Sequence, residues 1–372
     1  MVSNIDKNFW KGKRVLLTGH TGFKGSWLAL WLKQLGAELT GFSLPPQTTP
    51  NLFELANVSC EMVSLTGNIH DLENIKSIIK KYKPEIIFHM AAQSLVQYSY
   101  KNPVETYMTN VIGTVNLFES VRQAGGAKVV VNITSDKCYE NKEKREGYKE
   151  DEPMGGYDPY SSSKGCAELI TAAYRRSFFS PGRFNDHKTA ISSVRAGNVI
   201  GGGDWSQDRL IPDIVRGIID KRTIKIRHPH ATRPWQYVLE PLSGYLILAQ
   251  KMWNDGIAFS DSWNFGPDEK DEREVEWIVQ NFEKKWQEKI NWTIEEDSKF
   301  HEAHYLRLDS AKARTKIGWS PVWKINTALE KTVEWYKIFV NAGNIKDITI
   351  SQIENYENVL ALKAGTNFQR MV

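Results

Sequence analysis

The sequence is short of cysteine, of net charge and of long apolar runs. Three cysteines in 372 residues fit neither a disulfide framework nor a zinc-ligand spacing, and they favour a reducing compartment. The 48 basic and 44 acidic residues leave a net charge of +4, too small to indicate a general nucleic-acid or membrane-surface binder. The apolar run at 27–32 is far shorter than the roughly 20 residues that span a bilayer. We therefore expect a cytoplasmic protein with no metal, nucleic-acid or membrane partner.

Short β-branched runs alternate with longer helical patterns through the first half of the chain. Continuous Val/Ile runs are typical of strands that are covered on both faces. The pattern predicts an α/β fold: a Rossmann-type doubly wound parallel sheet in residues 1–197. Residues 198–340 are expected to form mainly a smaller substrate-binding lobe, with segments such as 235–262 returning to the sheet domain, and 341–372 a C-terminal tail. The predicted strands are 15–17, 39–42, 61–65, 86–88, 129–133 and 189–194, and the predicted helices are 23–35, 69–82, 104–123 and 161–176.

A glycine-rich turn follows the first predicted strand and leads directly into a helix. Gly19, Gly22 and Gly25 have the spacing G-x-x-G-x-x-G. Glycines let the backbone approach a pyrophosphate, whose charge is met by the N–H groups at the start of the helix. The strand–turn–helix context therefore predicts a dinucleotide site, against the alternative of a glycine turn used only for packing.

Residues around this turn bear on the choice of dinucleotide. The second strand ends at Ser43 and Leu44, without an acid to read a ribose hydroxyl or an arginine to bind a 2′-phosphate, so these residues leave the choice between NAD and NADP open, and NADP is not excluded. His20 and Lys24 are expected to be exposed loop side chains. The residues that follow the third and fourth strands are placed to line the adenine and the centre of the dinucleotide: Asn68, Ile69, Ala91 and Ala92.

Tyr160 and Lys164 stand four residues apart after the fifth strand, so on a helix they share one face. A lysine ammonium near a phenol favours the phenolate and lowers the pKa of the tyrosine. Tyr160 is therefore a candidate general base for a sugar hydroxyl whose carbon loses a hydride. The spacing alone is unspecific, and its position after a glycine-loop sheet is what favours this interpretation over a surface pair.

Together these motifs resemble the extended short-chain dehydrogenase/reductase superfamily and, within it, the nucleotide-sugar 4,6-dehydratases. The resemblance covers about residues 10–340 and rests on residues 19–25, 91–93, 134–137, 160–164, 195–205 and 233–236. It implies a carbon–oxygen lyase with tightly bound NAD that is regenerated in each turnover. The cofactor-binding residues expected on this basis are Gly19, Gly22, Phe23, Gly25, Asn68, Ile69, Ala91, Ala92, Tyr160 and Lys164.

The resemblance also assigns roles to the stretch that follows the fifth strand. Ser135 would hydrogen-bond the reacting hydroxyl, and Asp136 would be the acid that lets hydroxide leave as water, unless it only caps a turn. Thymidine-diphosphate relatives carry a glutamate where this sequence has Lys137, which resembles the branch acting on CDP-glucose. Lys137 would either abstract the carbon-5 proton or stabilise the enolate at carbon 4, and the two roles stay open.

The implied reaction converts CDP-D-glucose to CDP-4-keto-6-deoxy-D-glucose and water through an internal hydride cycle, in deoxysugar and lipopolysaccharide O-antigen-type precursor biosynthesis. The alternatives are a nucleotide-sugar 4-epimerase, a dehydratase for another nucleotide-diphosphate sugar, and a binding module that senses NAD or nucleotide sugars. A homodimer or homotetramer is expected through the helices 104–123 and 161–176. The expected substrate-binding residues are Gln93, Asn198, Leu210 and Arg233, with His301 and His304 as weaker candidates near the phosphates.

Overall fold

The computed structural model of the chain describes residues 4–60, 62–295 and 305–369. A seven-stranded sheet lies at its centre, and every strand pairing in that sheet is parallel. The strands are β1 (Arg14–Thr18), β2 (Glu38–Ser43), β3 (Val63–Thr66), β4 (Ile86–His89), β5 (Val129–Ile133), β6 (Ala190–Ala196), β7 (Val199–Ile200), β8 (Ile224–Ile226), β9 (Thr232–Pro234), β10 (Gln236–Tyr237), β11 (Ser262–Phe265), β12 (Glu272–Glu274) and β13 (Trp292–Ile294). The order in the large sheet is β11-β6-β5-β4-β1-β2-β3, and β7–β10, β9–β12 and β8–β13 form small two-stranded pairs.

Helices connect and cover these strands. They are α1 (Lys7–Trp10), α2 (Phe23–Gln34), α3 (Leu52–Leu55), α4 (Leu72–Tyr82), α5 (Val96–Lys101), α6 (Pro103–Tyr107), α7 (Gly113–Ala124), α8 (Pro159–Ser177), α9 (Phe184–His187), α10 (Leu210–Ile219), α11 (Leu239–Asn254), α12 (Gly256–Phe259), α13 (Val275–Trp286), α14 (Ile325–Val340) and α15 (Ile345–Gln369). The strand order reverses between β1 and β4, where a parallel α/β sheet opens a crevice at its carboxyl edge.

The predicted Rossmann-type sheet is confirmed, with differences in detail. Strand β3 is Val63–Thr66, and Glu61, the first residue predicted for it, lies outside the described residues. The single helix predicted over 104–123 consists of α6 and α7 joined by a wider π-helical turn at Met108–Ile112. The seventh strand, β11, was not among the predicted strands, and it pairs with β6 after the chain has passed through α10 and α11.

The tail that the sequence left uninterpreted forms α15 over residues 345–369 and packs on α2, α3 and α14. Glu357 on α15 accepts a 2.8 Å hydrogen bond from the Trp31 indole, and the Tyr356 hydroxyl donates to Glu240 at 2.7 Å. Many tryptophans are core residues, and Trp27 and Trp31 are fully buried. No described helix is both long and apolar enough to cross a membrane.

Candidate active site

The glycine turn between β1 and α2 needs glycine at two of its three positions for steric reasons. Gly19 has φ +77°, and a Cβ there would lie 2.7 Å from the backbone nitrogen of Ala91. A Cβ on Gly25 would lie 2.0 Å from the Gly19 carbonyl oxygen. Gly22, at the start of α2, is less crowded, with 3.4 Å to the nearest atom. Within the described chain no side chain caps α2, so its first N–H groups are available to an anion.

His20 in this turn and Lys24 at the start of α2 are not exposed, so the expectation that both are exposed loop side chains is wrong. His20 is 1% exposed; its Nε2 hydrogen-bonds to the Ser64 hydroxyl at 2.8 Å, and burial lowers its pKa to about 4. Lys24 is half-buried. Burial and the positive charges of Lys164 and Arg209 lower the pKa of Lys24 to about 7, and the negative charge of Asp136 opposes that shift. The charge of Lys24 therefore interacts with those of Asp136, Lys164 and Arg209.

The other predicted cofactor residues follow the carboxyl ends of β1, β3 and β4. Ala91 follows β4, is half-buried, and its N–H donates to the Thr18 hydroxyl at 3.1 Å. Ile69 is buried against α7, since a Cβ on Gly113 would lie 2.5 Å from its side chain. Asn68 is exposed, and its side chain accepts from a backbone N–H two residues later. Ala92 and Phe23 are half-buried. The structure thus gathers these residues at the carboxyl edge.

Helix α8 positions the tyrosine and the lysine. Asp158 caps the helix by accepting from the Ser161 N–H at 2.9 Å, and Pro159 stands at the first helical position, where its missing N–H costs nothing. Tyr160 and Lys164 are both buried. The Lys164 ammonium donates to the Ile133 carbonyl at 3.3 Å, at the end of β5. Burial lowers the pKa of Lys164 to about 8, and the negative charge of Glu168 opposes this.

Between β5 and α8 the chain makes a short 3₁₀ turn, Asp136–Cys138, that Ser135 caps. The Ser135 hydroxyl accepts from the Lys137 N–H at 3.2 Å and donates to Asp136 Oδ1 at 3.0 Å. Burial raises the pKa of Tyr160 to about 12, although its interaction with Ser135 and the positive charge of Arg209 oppose that rise. The direction is opposite to the sequence-based expectation, because burial outweighs nearby charge and the Lys164 ammonium lies against a backbone carbonyl.

Asp136 is the carboxyl among the predicted catalytic residues, and it is buried, with 4% of the residue exposed. Its Oδ2 has no hydrogen-bond partner among the described residues, and a Cβ on Gly197 would approach it to 2.7 Å. Burial raises the pKa of Asp136, while the charges of Lys137 and Arg233 and the hydrogen bond from Ser135 oppose that rise. A buried carboxyl with a free oxygen and a raised pKa is suited to hold a proton and donate it.

A cavity of about 350 Å³ adjoins the turn. Half-buried Lys137 lines it together with Tyr157, Asp158 and Ser161. This volume lies within the range of small-molecule sites, and its lining is polar enough for a hydroxylated ligand. Across the described residues, no group of three or more His, Cys, Asp or Glu side chains could hold a metal ion.

The predicted substrate residues differ in whether their side chains are already bonded within the chain. The Gln93 amide donates to the Leu95 carbonyl at 3.0 Å and to the Thr106 hydroxyl at 2.9 Å, so it holds its own loop. Asn198, Leu210 and Arg233 are half-buried in the segments that follow β6. Of these three, Arg233 is the one whose charge acts on Asp136. His301 and His304 lie outside the described residues.

Arg209 is a candidate site residue that was not predicted from the sequence. It stands at the start of α10, pairs with Asp204 at 3.2 Å and contacts the Ser94 hydroxyl at 3.2 Å. Its charge lowers the pKa of both Tyr160 and Lys24, so it lies near the reacting groups. The available signal was its position directly before Leu210, in a segment already assigned to the substrate.

The comparisons with known proteins agree with this geometry. The family described as GDP-mannose 4,6 dehydratase matches residues 16–332. The CDP-glucose 4,6-dehydratase of Salmonella typhimurium is 52% identical over 352 residues, which are 95% of this chain and 98% of that protein. A dTDP-glucose 4,6-dehydratase from Streptomyces venezuelae, solved with NAD and TYD bound, has TM-score 0.75 and 23% identity over 89% of this chain and 98% of its own.

A UDP-glucose-4-epimerase from Stenotrophomonas maltophila, solved with bound NAD, has TM-score 0.77 and 18% identity over 89% of this chain and 100% of its own. The two structures share the fold with this chain and do not separate dehydration from epimerisation. The family match and the 52% identical relative do not depend on that likeness of fold. On their strength, the chain belongs to the GDP-mannose 4,6 dehydratase family.

Proposed function

We propose that the protein is an NAD-dependent nucleotide-sugar 4,6-dehydratase that converts CDP-D-glucose to CDP-4-keto-6-deoxy-D-glucose and water. The observation that carries this proposal is the buried Asp136, whose pKa is raised, whose Oδ1 accepts from Ser135 and whose Oδ2 has no hydrogen-bond partner among the described residues. Proton abstraction from a sugar hydroxyl needs Tyr160, whereas loss of water also needs an acid. The 52% identity to a CDP-glucose 4,6-dehydratase supports the sugar and the base.

The residues at the sheet edge fit a dinucleotide. The glycine turn leaves no room for a Cβ at Gly19 or Gly25, and the uncapped start of α2 suits a pyrophosphate. At the end of β2 the hydroxyls of Thr21 and Ser43 lie 2.8 Å apart, where a 2′-phosphate would call for an arginine, so we propose NAD over NADP. When bound, NAD would supply the acceptor for the hydride of carbon 4 and, once reduced, the donor of a hydride to carbon 6.

The cofactor proposal can be tested without substrate. Gly22→Ala is expected to leave the fold intact, because the nearest atom to a Cβ is 3.4 Å away, and to weaken NAD binding by crowding the pyrophosphate. Titration calorimetry with NAD and with NADP measures both effects, and Gly182→Ala on a remote loop, where the nearest atom is 3.8 Å away, serves as the control. Equal affinity of Gly22→Ala and the unaltered protein for NAD would contradict the placement.

The chain's own groups perform the proton transfers of the first step. Tyr160 takes the proton of the 4-hydroxyl, and Ser135 hydrogen-bonds the oxygen that becomes the ketone. The positive charge of Arg209 favours the phenolate that Tyr160 must form. The 4-ketone then acidifies the proton at carbon 5.

Elimination uses the 3₁₀ turn. Asp136 donates its proton to the 6-hydroxyl, which leaves as water. Lys137 lies in the cavity wall beside it and either removes the carbon-5 proton or holds the enolate oxygen. Asn198, Leu210 and Arg233, in the lobe proposed for residues 198–340, would hold the nucleotide half, since an arginine fork suits a diphosphate.

The decisive test is the mass of the product made from CDP-glucose. Loss of one water supports the dehydratase, whereas an unchanged mass with an altered carbon-4 configuration supports the 4-epimerase. UDP-glucose and dTDP-glucose as parallel substrates test the base. Tyr160→Phe is the matched control, because removing the hydroxyl should abolish oxidation at carbon 4 in either reaction.

We further propose that the protein assembles as a homodimer or homotetramer through α6–α7 and α8. Exposed apolar side chains lie on or directly after these helices: Val104 on α6 is 75% exposed, Leu169 on α8 is 59% exposed, and Phe178, which follows α8, is 50% exposed. Such a surface favours burial against a second copy. Light scattering should report a dimer or tetramer, and Leu169→Glu should shift it to smaller species; a monomeric unaltered protein would contradict the proposal. The free Cys60, Cys138 and Cys166 favour a cytoplasmic location.

A further inference from the structure

A fully buried ion pair lies behind the catalytic turn. Glu168 on α8 and Arg195 on β6 meet at 2.7 Å, and each side chain is 3% exposed. Buried ion pairs are weak sources of stability, because desolvation of the two charges offsets their attraction. Apolar residues of similar volume often stabilise a core as well as a buried ion pair does, so stability alone does not explain why this pair is charged.

The ion pair hydrogen-bonds the residues on either side of the turn Ser135–Cys138, which are Thr134 and Tyr139. Glu168 accepts from the Thr134 hydroxyl at 2.5 Å, and Thr134 directly precedes that turn. Arg195 donates to the Tyr139 hydroxyl at 2.5 Å, and Tyr139 directly follows it. The two ends are therefore bound to one rigid unit.

The same unit is connected to the helix that holds the base. Glu168 lies one helical turn after Lys164 on α8, and its negative charge favours the Lys164 ammonium. Other titratable groups interact with Lys164 or Glu168. They are Lys24, His89, Cys138, Arg175 and Arg195. Burial raises the pKa of Cys138 and lowers that of His89 to about 3, so both are neutral and Glu168 supplies the negative charge.

We propose that Glu168 and Arg195 are positioning residues for the dehydration, fixing the Ser135–Cys138 turn against Tyr160 and keeping Lys164 in its charged form. The proposal rests on the proposed function. Neither residue touches the substrate; both act through Thr134, Tyr139 and Lys164. The sequence contained two signs of this: Glu168 follows Lys164 at helical spacing, and Arg195 begins the 195–205 segment on which the resemblance rests.

The first test is Glu168→Gln, which keeps the shape and removes the charge. We expect kcat for water loss to fall by ~10- to 100-fold, as for a catalytic group displaced by about an ångström, with KM for CDP-glucose nearly unchanged. Without the Glu168 charge Lys164 loses its proton more readily, so the alkaline limb of the kcat profile should move to lower pH. The Lys164 resonance in isotope-labelled protein should titrate at lower pH too, with no substrate present.

A matched pair of variants covers the case in which Glu168→Gln does not fold. Thr134→Val removes the hydrogen bond that leads to the catalytic turn, whereas Ser193→Ala removes the 2.6 Å bond that Glu168 accepts from elsewhere on β6. We expect kcat to fall for Thr134→Val and to stay near the unaltered value for Ser193→Ala. Equal kcat in both variants, or a folded Glu168→Gln with unchanged kcat and pH limb, overturns the proposal. An unaltered protein that loses no water from CDP-glucose overturns the proposed function instead, and the Lys164 titration still decides the positioning role.

Discussion

Asp136→Asn separates the two halves of the proposed reaction. Asparagine has the shape of aspartate and can keep the hydrogen bond with Ser135, which is 3.0 Å in the native turn, but it has no proton to give to a leaving hydroxide. Ser135, Tyr160 and Lys164 are untouched. We therefore expect oxidation at carbon 4 to survive and water loss to collapse.

The magnitude follows from the role and the burial of the carboxyl. A positioned general acid contributes ~10²- to 10⁴-fold, which corresponds to about 3 to 5 kcal/mol of barrier. Stability should not fall in parallel. Burial raises the pKa of Asp136, so its contribution to folding is present at low pH and is lost as pH rises through the raised value. The neutral asparagine therefore becomes relatively more stable towards alkaline pH.

Two signals separate the steps in a single-turnover assay. The absorbance of the reduced nicotinamide reports oxidation at carbon 4, and mass spectrometry reports water loss. In Asp136→Asn the reduced cofactor should form at close to the native rate and persist. The dehydrated product should form ~10²- to 10⁴-fold more slowly than in the native protein. In Tyr160→Phe both signals should be lost.

An equal loss of both signals in Asp136→Asn would refute the acid role and leave Asp136 as a structural cap. Native water loss that declines as pH rises, with no matching decline in oxidation, would support the role, because the acid must be protonated to act. A flat pH profile for water loss would count against it.

Two predictions concern the free energy of unfolding, measured with urea. Tyr356→Phe removes the hydroxyl that donates to Glu240, and burial raises the pKa of Glu240 to about 7. The loss should lower the free energy of unfolding by ~1 kcal/mol where that carboxyl is neutral and by ~2 to 3 kcal/mol at higher pH, where it is charged. A loss that does not depend on pH would contradict this coupling. Gly202→Ala places a Cβ 2.0 Å from the Trp335 ring and should lower the free energy of unfolding by ~1 to 3 kcal/mol or more. Gly182→Ala, whose Cβ would be 3.8 Å from the nearest atom, should leave it nearly unchanged. Similar losses in both variants would show that Trp335 moves aside freely.

Local patterns determined the sheet, the glycine turn and the helix of Tyr160. Continuous Val/Ile runs indicate strands that are buried on both faces wherever they occur in the chain, and G-x-x-G-x-x-G after a strand has few other uses. Tyr160 and Lys164 share a helix face because of their spacing alone. These features depend on neighbours within a few residues, which is why they can be predicted from the sequence.

Tertiary structure decided which polar side chains are enclosed. His20 and Lys24 look like loop residues. In the folded chain, however, His20 hydrogen-bonds Ser64 of β3, and Lys24 is close enough to Lys164 and Arg209 for their charges to lower its pKa. The direction of the Tyr160 pKa shift depends on burial, which no spacing reveals. Segments far apart in sequence bring Glu168 and Arg195 together behind the turn, and they dock the tail helix α15 on the sheet domain. Burial and charge pairing are properties of the packed chain, and they determine what the motif residues can do.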